Sequence, residues 1–308
     1  MTNSILSTSF QRPSPSALPA KIVLWLVWKM AIATLILMAI GAATRVMNAG
    51  LACPDWPLCY GQLVPTQQMN LQVFLEWFHR LDASLIGLSA LGLVSYSWWQ
   101  KSALPRWLPW ACSFALLLII IQGVLGGLTV TQLLRFDIVT AHLATALLFF
   151  ATLVTIACRL TPYQGTATVG NLKIVSLISA IFVYVQCLLG GLVATQWAAH
   201  QCWGAKELCF VMNSHIIGVF PATISSVILV VLAWRTPALA TKLRNLAQMI
   251  ALLLISQLLL GMATFYFHLQ VEPLTVAHHT VGGALFGCLV AFTVLAHRDY
   301  QVFSTIEG

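Results

Sequence analysis

Charge is what this chain has least of. Asp, Glu, Lys and Arg make up 7% of its 308 residues, against about 25% in an ordinary soluble protein. Only eight residues are acidic. With 59% hydrophobic residues and a mean hydropathy of +0.89, that scarcity excludes a soluble globular domain. Apolar runs near 20 residues long, repeated along the chain, point instead to helices that cross a membrane. The net charge of +7 does not call for nucleic acid, because the basic residues fall mostly in short loops on one side.

The runs predict an all-α polytopic membrane protein with eight helices, at roughly 22–43, 74–98, 107–129, 138–159, 172–194, 211–234, 246–268 and 275–297. One side receives Arg12, Lys21, Lys29, Lys101, Arg106, Arg159, Lys173, Arg235, Lys242, Arg244 and Arg298; the other receives Arg45, Arg80, Arg135 and Lys206 mixed with acidic residues. The positive-inside rule then puts both termini in the cytoplasm, in a plasma or other energy-transducing membrane. The first run exceeds the 7–15-residue apolar core of a signal peptide, so it reads as a helix rather than a leader cleaved at Gly41-Ala42-Ala43.

The chain repeats itself. A shift of 136 residues lays His79 on His215 and His142 on His278, and matches Thr140-Ala-His-Leu-Ala to Val276-Ala-His-His-Thr. Units of four helices keep the same orientation, so the halves should be related by an axis along the membrane normal. The expected layout is two pseudo-symmetric four-helix bundles. A disordered cytoplasmic tail covers 1–21, the first bundle 22–160 with a long outer loop at 44–73, and a cytoplasmic linker 161–171. The second bundle covers 172–298 and a cytoplasmic tail 299–308.

Four histidines at one depth in the outer leaflet are the candidate chemistry. Two imidazoles facing each other across a bundle are what axial ligation of a haem iron needs. A satisfied polar core residue is the bland reading of one such histidine, but not of four at repeat-related places. A zinc site would want further ligands close by. His279 adjoins His278 and stays open as the ligand, though the repeat favours His278; His200, His268 and His297 have no repeat partner and read as interfacial.

Glu76 stands three residues before His79 and hence on the same helical face. It could pair with Arg80 or act on protons and developing positive charge beside a substrate. Its repeat counterpart is Met212, and that of Arg80 is Ile216, so the halves share histidines but not polar equipment. The first bundle therefore reads as the reactive one. Among eight cysteines, Cys53 with Cys59 and Cys202 with Cys209 form close pairs in outer loops. They argue for disulfides in an oxidising compartment, or for redox-active pairs. Cys112, Cys158, Cys187 and Cys288 read as packing residues. Gly-rich helix ends, Gln122-Gly-Val-Leu-Gly-Gly and Gln186-Cys-Leu-Leu-Gly-Gly, with Gln257-Leu-Leu-Leu-Gly, permit close helix approach.

Taken together, Gly41-Ala-Ala-Thr-Arg45, Gly50-Leu-Ala-Cys-Pro-Asp-Trp-Pro-Leu-Cys59, Glu76-Trp-Phe-His-Arg80, Leu125-Gly-Gly-Leu-Thr129 and Ala141-His-Leu143 make the chain resemble the haem A synthase family across residues 22–297. The resemblance implies oxidation of the C8 methyl of haem O to the formyl of haem A through a hydroxymethyl intermediate. It places His79 and His142 at the substrate haem with Glu76 beside it, and a resident haem b on His215 and His278. It also implies haem O synthase and an electron acceptor as partners, with membrane lipid around the protein and a homo-oligomer allowed. The loop at 196–209 keeps little of the first loop's motif beyond its cysteines. Two other classes compete: a di-haem b-type cytochrome taking electrons from quinol, and a parallel-repeat transporter. The second would favour sites at the midplane and broken helices.

Overall fold

In the computed structural model, which describes residues 17–194 and 209–307, eight helices follow one another: α1 (Ala17–Val46), α2 (Leu71–Trp99), α3 (Leu108–Thr131), α4 (Phe136–Leu160), α5 (Leu172–Val193), α6 (Cys209–Arg235), α7 (Thr241–Tyr266) and α8 (Glu272–Glu307). All eight hold a stretch long and apolar enough to cross a membrane. The only β pairing among the described residues is one isolated bridge between Cys59 and Gln62. The protein is an all-helical, polytopic membrane protein.

Several helix ends lie beyond the apolar runs. The α2 helix starts at Leu71 rather than 74, because the Asn70 side chain accepts a hydrogen bond from the Val73 N–H at 3.0 Å. That cap satisfies an otherwise orphaned donor and lets exposed Gln72 join the helix. At the far end, α8 runs on to Glu307, where a tail from 299 was expected. The reason is local: Asp299 is fully buried and accepts hydrogen bonds from Tyr163 Oη and the Thr166 and Thr168 N–H groups. Arg298 donates to the Cys158 and Thr161 carbonyls. These polar residues fasten the irregular segment 161–171 to α8 instead of facing solvent.

The helices close two rings. In the first, α1 packs on α2, α2 on α3, α3 on α4 and α4 on α1; α5, α6, α7 and α8 do the same in the second. The rings meet through α1–α8, α4–α5 and α4–α8. Mapping α1 onto α5 and α4 onto α8 exchanges the first two of these contacts and returns the third to itself. The α4–α8 pair therefore lies on the pseudo-twofold axis. About half of each of these helices is buried, against at most a third of any other. Phe150 of α4 lies over Gly287 of α8, where a Cβ would stand 2.7 Å from its ring. Buried Leu147, Phe149 and Leu153 face Leu285, Leu289 and Phe292 in one continuous core. In lipid, this interdigitation rather than removal from water holds helices together.

Residues 47–70 form an irregular cap over the end of the first ring. Trp56 lies on Gly127 of α3, where a Cβ would stand 3.2 Å from the indole. Trp77 Nε1 donates to the Leu63 carbonyl at 2.7 Å.

Candidate active site

The even-numbered helices all begin at the capped end. His142, His215 and His278 each stand six residues after the first residue of their helix, and His79 stands eight after it. At 1.5 Å per residue the four rings lie roughly 9–12 Å in, deeper than the apolar runs alone imply because the helices start earlier.

Every ring is seated on a glycine of the preceding odd-numbered helix. A Cβ on Gly41 would stand 2.9 Å from His79 Nε2, and one on Gly126 would stand 3.3 Å from His142 Cε1. The corresponding distances are 3.0 Å from Gly190 to His215 Cε1 and 2.9 Å from Gly261 to His278 Cε1. Any side chain at these positions would push on an imidazole. The seats are therefore cradles that only glycine leaves open. The sequence shows three of these glycines, in the Gln-x-x-x-Gly helix ends, but not that a histidine lies on each.

In the second ring the imidazoles of His215 and His278 face one another, with ring centroids 6.3 Å apart and planes at 85°. A metal about 2 Å from each ligating nitrogen would need centroids about 6 Å apart. His279 lies within electrostatic range of both Arg45 and His278. In the first ring His79 and His142 lie within electrostatic range of each other. Arg45 Nη1 crosses from α1 to donate to the Gly191 carbonyl of α5 at 3.1 Å. Buried and without a hydrogen-bond partner are His142 Nδ1, His278 Nδ1 and the side-chain oxygens of Gln122, Gln186 and Gln257. No group of three or more His, Cys, Asp or Glu side chains converges on one point among the described residues. Two facing imidazoles in the second ring, two neighbouring ones in the first, glycine cradles under all four and orphaned ring nitrogens fit an iron carried in a flat macrocycle.

Glu76 is 4% exposed. One of its carboxylate oxygens accepts from the Cys53 N–H at 2.7 Å, and the other pairs with Arg80. Arg80 also donates to the carbonyls of Cys53, Asp55 and Leu58. Arg80 is thus more than the helical partner of Glu76: it fastens the cap to α2. Cys53 and Cys59 are joined in a disulfide, both fully buried. Asp55 accepts from the Tyr60 and Gly61 N–H groups at 2.6 and 2.8 Å; the Gly61 N–H, foremost, holds its carboxyl below the usual range. The Cys202–Cys209 pair and His200 lie outside the described side chains. The remaining four cysteines are free thiols. His268 lies just past the end of α7, and His297 Nδ1 lies 3.0 Å from the Thr293 carbonyl.

Residues 24–290 match the model of the COX15-CtaA family, cytochrome oxidase assembly proteins. A haem A synthase of Shewanella oneidensis is 30% identical over 88% of this chain and 94% of its own length. One from Caulobacter vibrioides is 26% identical over 94% and 99% respectively. A 118-residue stretch is 33% identical to part of a protohaem IX farnesyltransferase of Halobacterium salinarum, covering 38% of this chain and 26% of that one. The repeated rings, the seated histidines and the match along most of the chain lead to one conclusion: this protein belongs to the COX15-CtaA family of cytochrome oxidase assembly proteins.

Proposed function

We propose that the protein is a haem A synthase, a membrane oxidoreductase that takes haem O into its first ring and oxidises the C8 methyl group to the formyl group of haem A. The product serves haem-copper oxidase assembly, and the reaction passes through a hydroxymethyl intermediate. The observation that carries this reading is an asymmetry between like halves. Both rings present two glycine-seated histidines, and only the first adds a buried carboxylate beside one of them.

His79 and His142 hold the substrate from its two faces. Glu76, one turn from His79, handles a proton or stabilises positive charge developing at the methyl carbon. Arg80 and the Cys53 N–H fix that carboxylate in place, and the cap carrying Trp56 keeps bulk water from the ring. In the second ring His215 and His278 would hold a haem b, which when bound would supply the one-electron chemistry that side chains lack. The chain sits in an energy-transducing membrane with both termini cytoplasmic and the cap outside. It receives haem O from a farnesyltransferase acting on protohaem and passes electrons to a separate acceptor. The curated relatives support the activity, and the positive-inside pattern supports the orientation.

The test is to purify the protein from cells able to make haem O, extract its haems and identify them by chromatography and mass. Haem B together with hydroxylated haem O or haem A is the expected result. Haem B alone would make it a di-haem cytochrome, and no haem at all would overturn the ligand assignment.

A further inference from the structure

Three of the four seats carry a second feature. Four residues before Gly126, Gly190 and Gly261, on the same helical face, stand Gln122, Gln186 and Gln257. Gln186 Nε2 lies 3.0 Å from His215 Nδ1 and donates to the His215 carbonyl at 2.8 Å. Gln257 Nε2 lies 3.4 Å from a ring nitrogen of His278. Gln122 makes no such contact: its side-chain oxygen and His142 Nδ1 are both buried without a hydrogen-bond partner. On even-numbered helices the space is prepared: a Cβ on Gly218 would overlap the Gln186 amide, and one on Gly282 would stand 3.1 Å from Gln257 Nε2. The first ring lacks the contact at both seats. Four residues before Gly41 stands Leu37, and no hydrogen bond reaches the His79 ring among the described residues.

We infer that Gln186 and Gln257 are positioning residues that fix the orientation of His215 and His278. His79 and His142, which have no such brace, are the ligands that let go when substrate enters and product leaves. A ring whose N–H donates to the amide oxygen, the atom otherwise without a partner in both glutamines, keeps one rotamer and presents its other nitrogen inward. A ring resting only on a glycine turns at no cost in hydrogen bonds. The first ring thus holds two histidines that no side-chain amide fixes, as a site that exchanges its occupant requires. The second ring has two fixed ones, as a resident cofactor requires.

This inference rests on the proposed haem ligation, and the experiment separates the two. Haem release is followed by transfer to apomyoglobin, and the midpoint potential of the retained haem is titrated, in purified wild type and variants. In Gln186→Leu and Gln257→Leu the second-ring haem should leave about 10–100-fold faster, the usual effect of removing a partner of a metal-bound histidine. Its potential should move as well, by about 59 mV for each tenfold change in the relative binding of its two redox forms. The decisive variant adds a brace: Leu37→Gln should slow release from the first ring about tenfold and leave the second-ring haem untouched. Release rates and potentials within twofold of wild type in all three variants would overturn the inference. His215→Ala serves as the control. If it leaves the second-ring haem in place with an unchanged spectrum, the ligation reading itself fails. If it empties the ring while the glutamine variants behave as wild type, only the inference fails.

Discussion

In the first ring, 24 residues separate Val46 from Leu71, and they fold into a disulfide-tied cap held by Glu76 and Arg80. In the second, Met212 and Ile216 stand where those two residues would be, so neither a carboxylate nor a guanidinium occupies the matching places beside His215. The four-helix frames are otherwise alike, down to a glycine under each imidazole. A duplicated frame fixes where a flat ligand can sit. What a half does with that ligand depends on a few polar side chains at one corner. Ionisable groups within an apolar bundle are costly and persist where they have work, and the proposed assignment of the reaction to the first half rests on the carboxylate–guanidinium pair that stands beside His79.

The sharpest way to break this comparison is Glu76→Gln. It keeps the size and one acceptor for the Cys53 N–H but removes the charge. Turnover of haem O should fall by about 100-fold or more, the scale of proton handling in catalysis, with haem content of both rings unchanged by extraction. Full activity in that variant would leave the asymmetry without chemical meaning. A second break separates the carboxylate's chemistry from its anchoring. Arg80→Met leaves Glu76 as a buried charge with no cationic partner. Removing one member of a buried pair costs about 3–5 kcal/mol, read as a lower unfolding temperature. Met212→Leu, at the repeat-related place, should leave that temperature within a degree or two.

The seats test the frame itself. Gly261→Ala should cost the second ring its haem and leave the first loaded, and Gly126→Ala should do the reverse. Gly87→Ala on α2, where a Cβ would meet nothing within 4 Å, should be neutral or stabilise by up to about 1 kcal/mol from helix propensity alone. Equal loss of both haems in either seat variant would mean that the rings are not separate compartments. Opening the Cys53–Cys59 bridge as Cys53→Ser with Cys59→Ser is expected to cost about 2 kcal/mol, given the short loop it closes.

Most of this architecture is legible in the chain. Helices announce themselves by apolar length, and the 136-residue shift that superposes four histidines makes the two halves visible before any coordinates. Helix ends are not legible, because a hydropathy window does not register Asn70 as a cap or buried Asp299 as a tether. The glycines were visible too, but only as a tendency to pack closely. That Gly41 lies under His79, 38 residues away, depends on the register between α1 and α2, which no local pattern encodes. For the same reason Glu76 and Arg80 read as a helical pair, while the three carbonyls that Arg80 gathers from the cap come from tertiary folding. The glutamines sit in between: their spacing from the glycines is written in the chain, and what they face is not.

The smallest expected effect concerns the cap alone, and so sharpens what distinguishes the first ring. Asp55 is exposed enough to stay in exchange with solvent, and the Gly61 N–H, joined by the Tyr60 N–H and by the nearby Arg80, depresses its carboxyl below the ordinary value of 3.8 against partial desolvation. A depressed carboxyl stabilises the folded cap at every pH above its unfolded value, and that contribution is lost as pH falls through the lower folded value. The turn at Asp55–Gly61 should therefore hold from neutrality down to about pH 4 and loosen only below it. Hydrogen exchange at the Tyr60 and Gly61 amides, expressed as protection relative to Asp55→Asn at each pH, reads this directly. Asparagine keeps an acceptor oxygen but does not titrate. Wild-type protection should exceed that of the variant above pH 4 and converge on it in stronger acid. Protection that stays constant through the acid range would show that the cap is held by Arg80 and the disulfide without help from Asp55. The polar corner of the first ring would then reduce to the Glu76–Arg80 pair.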